Sequence, residues 1–406
     1  YMMRHVLKPL AVAVAACACC SCARTESENF NEIEDKALDI WVSSNAPDAE
    51  PLGDTGMYYE VIEALPDGSA TKVDVRGRWV DVKYVIRDLN GDIVYNRNEE
   101  TARLLGTFTK YTHYIPDRLY IASRQDLSDI PSGIYQAITE ITPGETWRVY
   151  IPSRLAFASY GIQTSTGYGG QQALESDVPV ILDSLRIVNI VDNPQSEGRQ
   201  AIEEFVTASR PEGWGKPLND TVREGLYMDI LARPNPGDTV PLNQSANIYY
   251  RCGFLDGHLI DSNIDTVLYN RFGTVRSSDI TSPIRVTRMS TDPNNANQMP
   301  AKVFYAILPD LCYGDSVRIA VPSEYGYYRQ YMYPDKSSSM WSSSATFTFD
   351  FTYQYKDYTT EDTDYFFASS TYYMPYSTSS GTTVPVAEIK PYTPLIYEFV
   401  VQKPES

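Results

Sequence analysis

Hydrophobic and polar residues alternate along much of the chain, and in two similar segments the alternation ends at a proline. The first segment is TPGETWRVYIPSRLAF (residues 142–157). Its Trp147, Val149 and Ile151 alternate with more polar residues, as in a β-strand with one buried face. The proline after Ile151 has no N–H to donate, so it ends the strand. YGDSVRIAVPSEYGY (residues 313–327) repeats this order of glycine, strand and proline, and the same strand is predicted twice.

This strand belongs to a longer internal repeat. Two further strand patterns recur in the same order: GMYYEVI (56–62) returns as GLYMDIL (225–231), and VPVILDSLRIVNI (178–190) returns as TPLIYEFVVQK (393–403). Two longer patterns, RWVDVKYVIRDLNGDIVYN (78–96) and ANIYYRCGFLDGHLIDSN (246–263), each surround an Asn-Gly or Asp-Gly pair. Such a pair between strand-like runs predicts a β-hairpin.

One amphipathic helix is predicted in each copy of the repeat. GIYQAITEITPG (133–144) and KVFYAILPDLCYG (302–314) both place apolar residues at helical spacing over about ten residues. Pro309 is expected to shorten or bend the second helix, because proline removes a helical hydrogen bond. Each copy therefore reads strand, hairpin, helix, strand, long loop and terminal strand, which predicts an α+β fold.

The repeat divides the chain into the following predicted segments: a lipoprotein signal peptide (1–22), a flexible acidic tether (23–54), a first half (55–192), a linker with a short helix at 199–208 (193–222), and a second half (223–406). The tether is predicted because RTESENFNEIED is acidic and low in hydrophobicity. The second half carries a Tyr- and Ser-rich insertion at about 328–388, which includes KSSSMWSSS. Two strand patterns in the insertion predict a hairpin that acts as a mobile flap.

The first residues resemble a secretory signal, since Arg4, His5 and Lys8 precede an apolar run too short to span a bilayer. Two cysteines are candidates for lipid attachment. Val14-Ala15-Ala16-Cys17 has the pattern of a bacterial lipobox, whereas Cys22 lies where the apolar run gives way to polar sequence. We expect a protein lipid-anchored in the cell envelope of a Gram-negative bacterium, facing the periplasm or the cell surface; a cleaved signal on a secreted chain is the alternative.

Charge and residue spacing exclude several other functions. The formal net charge of −18, from 34 basic and 52 acidic residues, argues against a nucleic-acid partner. His5, His113 and His258 are too scattered for a zinc site, and no nucleophile motif accompanies them, so neither a metal nor a hydrolase is predicted. No cofactor is expected. Cys252 and Cys312 are predicted to form either a disulfide or two buried thiols.

The repeated motifs resemble those of the FKBP-type peptidyl-prolyl isomerases. In the second half they are Tyr250, LDGHLIDSN, Phe304, YGDSVRIAVPSEYGY and YTPLIYEF. In the first half they are Tyr84, LNGDIVYNR, Ile134, PGETWRVYIPSRLAF and VPVILDS. The resemblance implies two FKBP-like domains in tandem, each an antiparallel half-barrel sheet wrapped on one short helix.

The resemblance also implies a pocket in the second half. Its motif-matched residues are Tyr250, Asp261, Phe304 (with Val303 as the alternative), Tyr327 and Tyr397. Tyr327 matches the tyrosine whose hydroxyl binds the substrate carbonyl, and Asp261 matches the pocket aspartate. Ile260 replaces the phenylalanine that precedes this aspartate in the family.

The first half departs further from the family pattern. Val94 and Tyr95 replace a Phe-Asp pair, and Ile134, Phe157 and Leu182 replace a tryptophan, a tyrosine and a phenylalanine. The residues predicted to bind substrate are Tyr84, Ile134, Phe157 and Leu182 of the first half and Ile260 of the second. An insertion, GTFTKYTHYIPDRLYIAS (106–123), stands where the family has a short loop.

These features predict a prolyl isomerase and folding helper that acts mainly through the second half on proline-containing peptides or unfolded proteins. An X–Pro bond isomerises over a barrier near ~20 kcal/mol, and an apolar pocket with one carbonyl donor can lower it without a metal or nucleophile. Two alternatives stay open: a non-catalytic peptide- or protein-binding lipoprotein on the same scaffold, and a surface assembly component whose domains are spacers.

Overall fold

The computed structural model describes residues 29–66, 69, 71–96, 98–106, 108, 110, 113–127, 130–157, 174–175, 177–208, 214, 225–273, 281–288, 303–326, 353–356, 365–368 and 392–405. The predicted signal peptide and both candidate lipid-attachment cysteines lie outside these ranges. The chain divides into two compact units, Tyr1–Ala49 and Glu50–Ser406. Within the described residues, no helix is both long and apolar enough to cross a membrane.

The described part of the first unit contains helix α1 (Phe30–Asn45). Its N-terminus is capped by Asn29, whose side chain accepts a hydrogen bond from the backbone N–H of Asn31. Leu38 and Val42, one turn apart, are buried on one face. The prediction of a flexible tether over 23–54 is therefore wrong for the residues of α1. The acidic residues that give this segment its polar character lie between apolar residues at helical spacing.

The first sheet of the second unit is antiparallel and has seven strands. Its strands are β1 (Glu50–Pro51), β2 (Tyr58–Glu63), β3 (Arg78–Asp88), β4 (Ile93–Asn96), β5 (Asp117–Ile121), β6 (Thr146–Ile151) and β7 (Val180–Val191). They are arranged in the order β1-β2-β6-β7-β3-β4, and β5 pairs with β3. Helix α2 (Glu99–Leu104) follows β4, and helix α3 (Ser132–Glu140) precedes β6.

The second sheet repeats this arrangement with six strands. Its strands are β8 (Tyr227–Ala232), β9 (Ser245–Gly253), β10 (Leu259–Ser262), β11 (Ile284–Thr287), β12 (Ser316–Val321) and β15 (Leu395–Gln402). The order β8-β12-β15-β9-β10, with β11 paired to β9, matches β2-β6-β7-β3-β4 with β5 paired to β3. The strand and hairpin repeats seen in the sequence thus correspond to two sheets of the same topology.

One helix packs against each sheet. Ile134, Ala137 and Ile138 of α3 are buried in the core of the first sheet. Gly133 at the start of α3 is needed for this close packing, because a Cβ there would lie 2.5 Å from Cγ2 of Ile151. In the second half, helix α6 (Val303–Ile307) continues as a 3₁₀ turn (Leu308–Asp310), so the predicted shortening at Pro309 is confirmed. Helix α5 (Asp265–Phe272) follows β10.

Both hairpin turns form as predicted, and both strand-ending prolines lead into a 3₁₀ turn. Gly91 and Gly257 have φ angles of 91° and 87°, which the turns require and which most other residues avoid. Pro152 precedes the turn Ser153–Leu155, and Pro322 precedes Ser323–Tyr325. The recurring proline therefore marks the same change from strand to turn in both halves.

Helix α4 (Pro194–Ala208) connects the two sheets and starts five residues before the predicted 199–208 helix. The earlier start has a local cause, since Asn193 accepts a hydrogen bond from the N–H of Ser196 and Pro194 suits a first helical position. In the first half, Arg118 binds Glu197 of α4 at 2.7 Å. In the second half, Glu324 binds Arg199 of the same helix at 2.5 Å. The linker is thus bonded to both halves.

The insertion in the second half contains the predicted hairpin. Strands β13 (Tyr353–Lys356) and β14 (Tyr365–Ala368) pair antiparallel, with Tyr353 opposite Ala368. The rest of the predicted 328–388 flap lies outside the described residues. Cys252 and Cys312 are both buried thiols and are not joined by a disulfide, which decides between the two alternatives left by the sequence.

Candidate functional site

Three aromatic residues that the family resemblance assigns to the second-half pocket lie together. Tyr250 comes from β9, Phe304 from α6 and Tyr397 from β15. The ring centroid of Phe304 lies 6.0 Å from that of Tyr250 and 5.5 Å from that of Tyr397, both in edge-to-face geometry. Phe399, two residues further along β15, adds a ring 4.6 Å from Phe304. We call Tyr250, Phe304, Tyr397 and Phe399 the aromatic cluster.

The aromatic cluster is packed as a core. Tyr250 is 2% exposed, and Phe304 and Tyr397 are both 0% exposed. Ile260 on β10 and Val303, the alternative to Phe304, are buried in the same core. Phe304 is the residue whose ring contacts both tyrosines. Edge-to-face rings of this kind stabilise a core by about 0.5–1.5 kcal/mol per pair beyond their area burial.

Two other predicted site residues are only partly described or not at all. Tyr327 lies outside the described residues, which stop one residue earlier at Gly326. A Cβ added to Gly326 would lie 3.5 Å from the Leu395 side chain, so the chain leaves the 3₁₀ turn beside the start of β15. The backbone of Asp261 pairs with Cys252 across β10 and β9, and its side chain is not described. The geometry thus brings the backbone that leads to Tyr327 close to the strand that carries Tyr397.

Ser262 and Asn263, which the sequence did not single out, fix the strand that carries Tyr250. Ser262 Oγ donates to the carbonyl of Tyr250 at 2.7 Å. Asn263 Oδ1 accepts from the N–H of Tyr250 at 2.7 Å, and its Nδ2 donates to the carbonyl of Ile248. Both side chains are buried. Because they follow Asp261 directly, the segment after the hairpin turn holds the aromatic cluster in place through backbone hydrogen bonds.

The four first-half residues predicted to form a binding surface are all buried in the core of the first sheet: Tyr84, Ile134, Phe157 and Leu182. Tyr84 stacks on Tyr95 with ring centroids 5.4 Å apart. Tyr95, which stands where the family has aspartate, donates its hydroxyl to Oδ2 of the buried Asp117 at 2.5 Å. Asp117 comes from the long insertion, so a carboxylate reaches this core from a different strand. No local sequence signal marks that pairing.

Two histidines that are far apart in the sequence meet between the halves. The rings of His113 and His258 stack with centroids 4.7 Å apart, and His113 also stacks on Phe254 at 4.3 Å. His113 Nε2 lies 2.6 Å from Oδ2 of Asp256 in the turn between β9 and β10. This hydrogen bond lowers the pKa of Asp256 to about 2. Among the described residues, no group of three or more metal-binding side chains accompanies the pair.

Comparison with solved structures gives matches to FKBP domains. The chain is similar to the three FKBP domains of wheat FKBP73 at 10% identity and a TM-score of 0.25, covering 87% of this chain and 98% of that one. It is similar to a peptidyl-prolyl cis-trans isomerase from Pseudomonas syringae pv. tomato at 19% identity and a TM-score of 0.27, covering 41% and 99%. Escherichia coli FkpA gives 15% identity and a TM-score of 0.26, covering 47% and 74%.

No family model and no curated protein matches the sequence. The TM-scores above are too low to transfer a fold or an activity to this chain. The chain itself has two antiparallel sheets of the same strand order, each with one short helix packed against it.

Proposed function

We propose that the chain is a tandem FKBP-like protein that catalyses peptidyl-prolyl cis–trans isomerisation through its second half. The observation that carries this proposal is that Tyr250, Phe304 and Tyr397 come together from two strands and a helix, on a sheet whose strand order occurs twice. The motif resemblance assigns these same three positions to the pocket. The substrate would be a proline-containing peptide or an unfolded protein.

The proposed chemistry needs binding and one hydrogen bond. Twisting the X–Pro amide removes its resonance, and an apolar surface stabilises the twisted form by excluding water. The aromatic cluster, which shares its core with Tyr325 of the turn Ser323–Tyr325, would supply such a surface once the neighbouring chain moves aside. Tyr327, which follows this turn, would donate its hydroxyl to the substrate carbonyl, and Asp261 would orient neighbouring groups.

The first half is proposed to bind or support rather than to catalyse. Its matched positions carry Ile134, Phe157 and Leu182, and Phe157 has no hydroxyl to donate. The hydroxyl of Tyr95 donates a hydrogen bond to the carboxylate of Asp117 inside the core. These features give the described part of the first half an apolar interior, with the phenylalanine Phe157 at the position matched to Tyr327.

A second candidate function is non-catalytic binding of a peptide or protein on the same scaffold. One observation favours it: Tyr250, Phe304 and Tyr397 are almost completely buried, as residues of a filled core are. A substrate proline could reach these rings only if neighbouring chain moved. In this case the outer surfaces and the insertion, rather than the aromatic cluster, would contact the partner.

We further propose that the protein is anchored to a membrane of the cell envelope through a lipid on Cys17 or Cys22. The support is the apolar run at residues 9–16 and the Val14-Ala15-Ala16-Cys17 pattern. An envelope location would suit a folding helper, because unfolded chains are exposed there after export.

The deciding experiment measures cis-to-trans relaxation of an X–Pro peptide with the full chain. Acceleration by the wild-type chain, and its loss in Tyr327→Phe with an unchanged unfolding midpoint, would support catalysis by the second half. Tyr325→Phe is the matched control, since it removes a hydroxyl two residues away. If the wild-type chain gives no acceleration yet binds a permanently unfolded, proline-containing protein, catalysis is rejected and the binding function is supported.

A further inference from the structure

A cleft of about 670 Å³ lies between the two halves, and the aromatic cluster does not contribute to its wall. The first half provides α2 and part of the insertion 106–123, including Lys110 and His113. The second half provides the β9–β10 turn and α5, including Asp256 and Arg271. The insertion that departs from the family loop thus forms one wall of a cleft that the proposed isomerase function does not use.

Basic side chains outnumber acidic ones in the wall of this cleft. Four side chains carry a positive charge at neutral pH: Arg103, Lys110, Arg251 and Arg271. Two are acidic: Glu99 and Asp256. The cleft therefore carries a positive charge in a protein whose formal net charge is −18. Such a local reversal of charge has an electrostatic cost unless an anion is present, because like charges repel across the cleft.

The two carboxylates are already engaged by other groups. Glu99 accepts hydrogen bonds from Arg103 one helical turn away, at 2.6 and 2.9 Å. Asp256 binds His113 at 2.6 Å and accepts the backbone N–H of His258 at 3.0 Å. Neither carboxylate forms an ion pair with Lys110, Arg251 or Arg271 among the described residues.

The remaining cations have weak partners. Arg271 donates to the backbone carbonyl of Lys110 at 3.4 Å, a long hydrogen bond that adds no negative charge. Arg251 lies 3.9 Å from Glu398, at the limit of an ion pair. Within the described residues, no carboxylate lies within ion-pair distance of Lys110 or Arg271. Lys110 and Arg271, one from each half, are thus available to an incoming anion, and Arg251 is held only by its long ion pair with Glu398.

The aromatic part of the wall gives the cleft a fixed shape. His113 is held by Asp256 and stacked between Phe254 and His258. Elsewhere on the first-half wall, the guanidinium of Arg103 lies 3.6 Å from the centre of the Phe108 ring, so this arginine is fixed by both Phe108 and Glu99. A cleft with ordered walls loses less conformational entropy when it binds a ligand.

We propose that this cleft is a binding site for a small oxyanion with at least two negative charges, such as a phosphate compound or a polycarboxylate. Lys110 and Arg271 would contact the anion from opposite halves, and Arg251 would add a third contact. Guanidinium groups match the geometry of both phosphate and carboxylate oxygens. A bound anion would also connect the two halves by bridging their cations.

The test is isothermal titration calorimetry of the full chain with two probes, inorganic pyrophosphate and citrate, at about 0.15 M salt, where weak surface attraction is screened. We expect saturable binding of at least one probe at one site per chain. Preference for pyrophosphate or for citrate then distinguishes a phosphate ligand from a carboxylate ligand. The double variant Lys110→Gln/Arg271→Gln should weaken binding by roughly tenfold or more, because it removes two charge-assisted contacts.

The matched control is Lys83→Gln/Arg285→Gln, which removes one exposed lysine and one exposed arginine that do not line the cleft. This control should bind the probe like the wild-type chain, and both double variants should keep the wild-type unfolding midpoint. If neither probe binds saturably, the proposal is overturned. An equal loss of affinity in the control variant would overturn it too, because the binding would then depend on overall charge rather than on the cleft.

Discussion

The ring of Tyr392, from the segment just before the last strand of the second half, packs edge-on against Trp79 in the first half, with centroids 5.6 Å apart. Both residues are buried in the hydrophobic core of the first sheet. Tyr392 also has a φ angle of 59°, a left-handed conformation that costs energy for a residue with a side chain. The packing of its ring therefore maintains an unfavourable backbone conformation, and the first sheet depends on a residue of the second half.

We expect Tyr392→Ala to lower the free energy of unfolding by about 3–5 kcal/mol, as for other large aromatic residues removed from a core. Urea unfolding followed by tryptophan fluorescence and by circular dichroism would measure this change. The two signals should change together, because Tyr392 of the second half is part of the core of the first sheet. Tyr392→Gly, which relieves the backbone conformation, should still destabilise, whereas Tyr269→Ala on the exposed face of α5 should not. A neutral Tyr392→Gly variant would contradict a contribution of the Tyr392 ring to the core of the first sheet.

Removing the hydroxyl of Tyr95 should destabilise the first half. Tyr95→Phe takes one donor from the buried carboxylate of Asp117, and an underbonded buried group costs about 1–3 kcal/mol. Urea unfolding would measure the loss. Tyr269→Phe makes the same chemical change at an exposed position and serves as the control. Equal stability of the two variants would mean that the Tyr95–Asp117 hydrogen bond contributes nothing to the fold.

Local features of the fold could be predicted from the sequence, whereas contacts between distant segments could not. The hairpins at Gly91 and Gly257 and the short helix before Pro309 follow from turn residues and local periodicity, and they could be predicted. The pairing of Tyr95 with Asp117 depends on how β5 returns to β3, for which no local pattern exists. The stacking of His113 on His258 could not be predicted for the same reason, since it joins segments from different halves.

The candidate site was predictable only in part. The proximity of Tyr250, Phe304 and Tyr397 could be expected from the motif repeat, because each residue lies at a matched position of its strand or helix. Their burial depends on how closely α6 packs on the second sheet, and alternation along a strand does not report that distance. Helix α1 differs again, because the many acidic residues between its apolar positions obscure a helical periodicity that the segment does contain.

Stability should depend on pH through Asp256. Its pKa is lowered to about 2 in the folded chain, mainly by the hydrogen bond from His113. A lowered pKa means that the contribution is present above the unfolded value near 3.8 and is lost as the pH falls towards 2. In a double-mutant cycle with Asp256→Asn and His113→Gln, the coupling energy should be favourable at pH 6 and much smaller at pH 2, where about half of the Asp256 carboxyl groups are protonated. A coupling that is the same at both pH values would contradict this contact.

The proposed lipid anchor can be assigned to one cysteine. If Cys17 is acylated, Cys17→Ala should move the protein from the detergent phase to the aqueous phase in a Triton X-114 partition, and Cys22→Ala should not. The opposite pattern would assign the lipid to Cys22. If both variants partition like the wild-type chain, neither cysteine carries the anchor. Mass spectrometry of the N-terminal peptide would provide an independent measurement.

The last prediction concerns which half catalyses. Phe304→Leu changes a ring in the aromatic cluster of the second half, whereas Phe157→Leu makes the same substitution in the core of the first half. Both should destabilise the chain by a similar amount, about 1 kcal/mol as for modest core changes, so stability alone cannot separate them. Below the unfolding transition, kcat/KM for an X–Pro peptide should fall roughly tenfold in Phe304→Leu if substrate binds the aromatic cluster. It should be unchanged in Phe157→Leu. Equal effects of the two variants on kcat/KM would contradict catalysis by the second half.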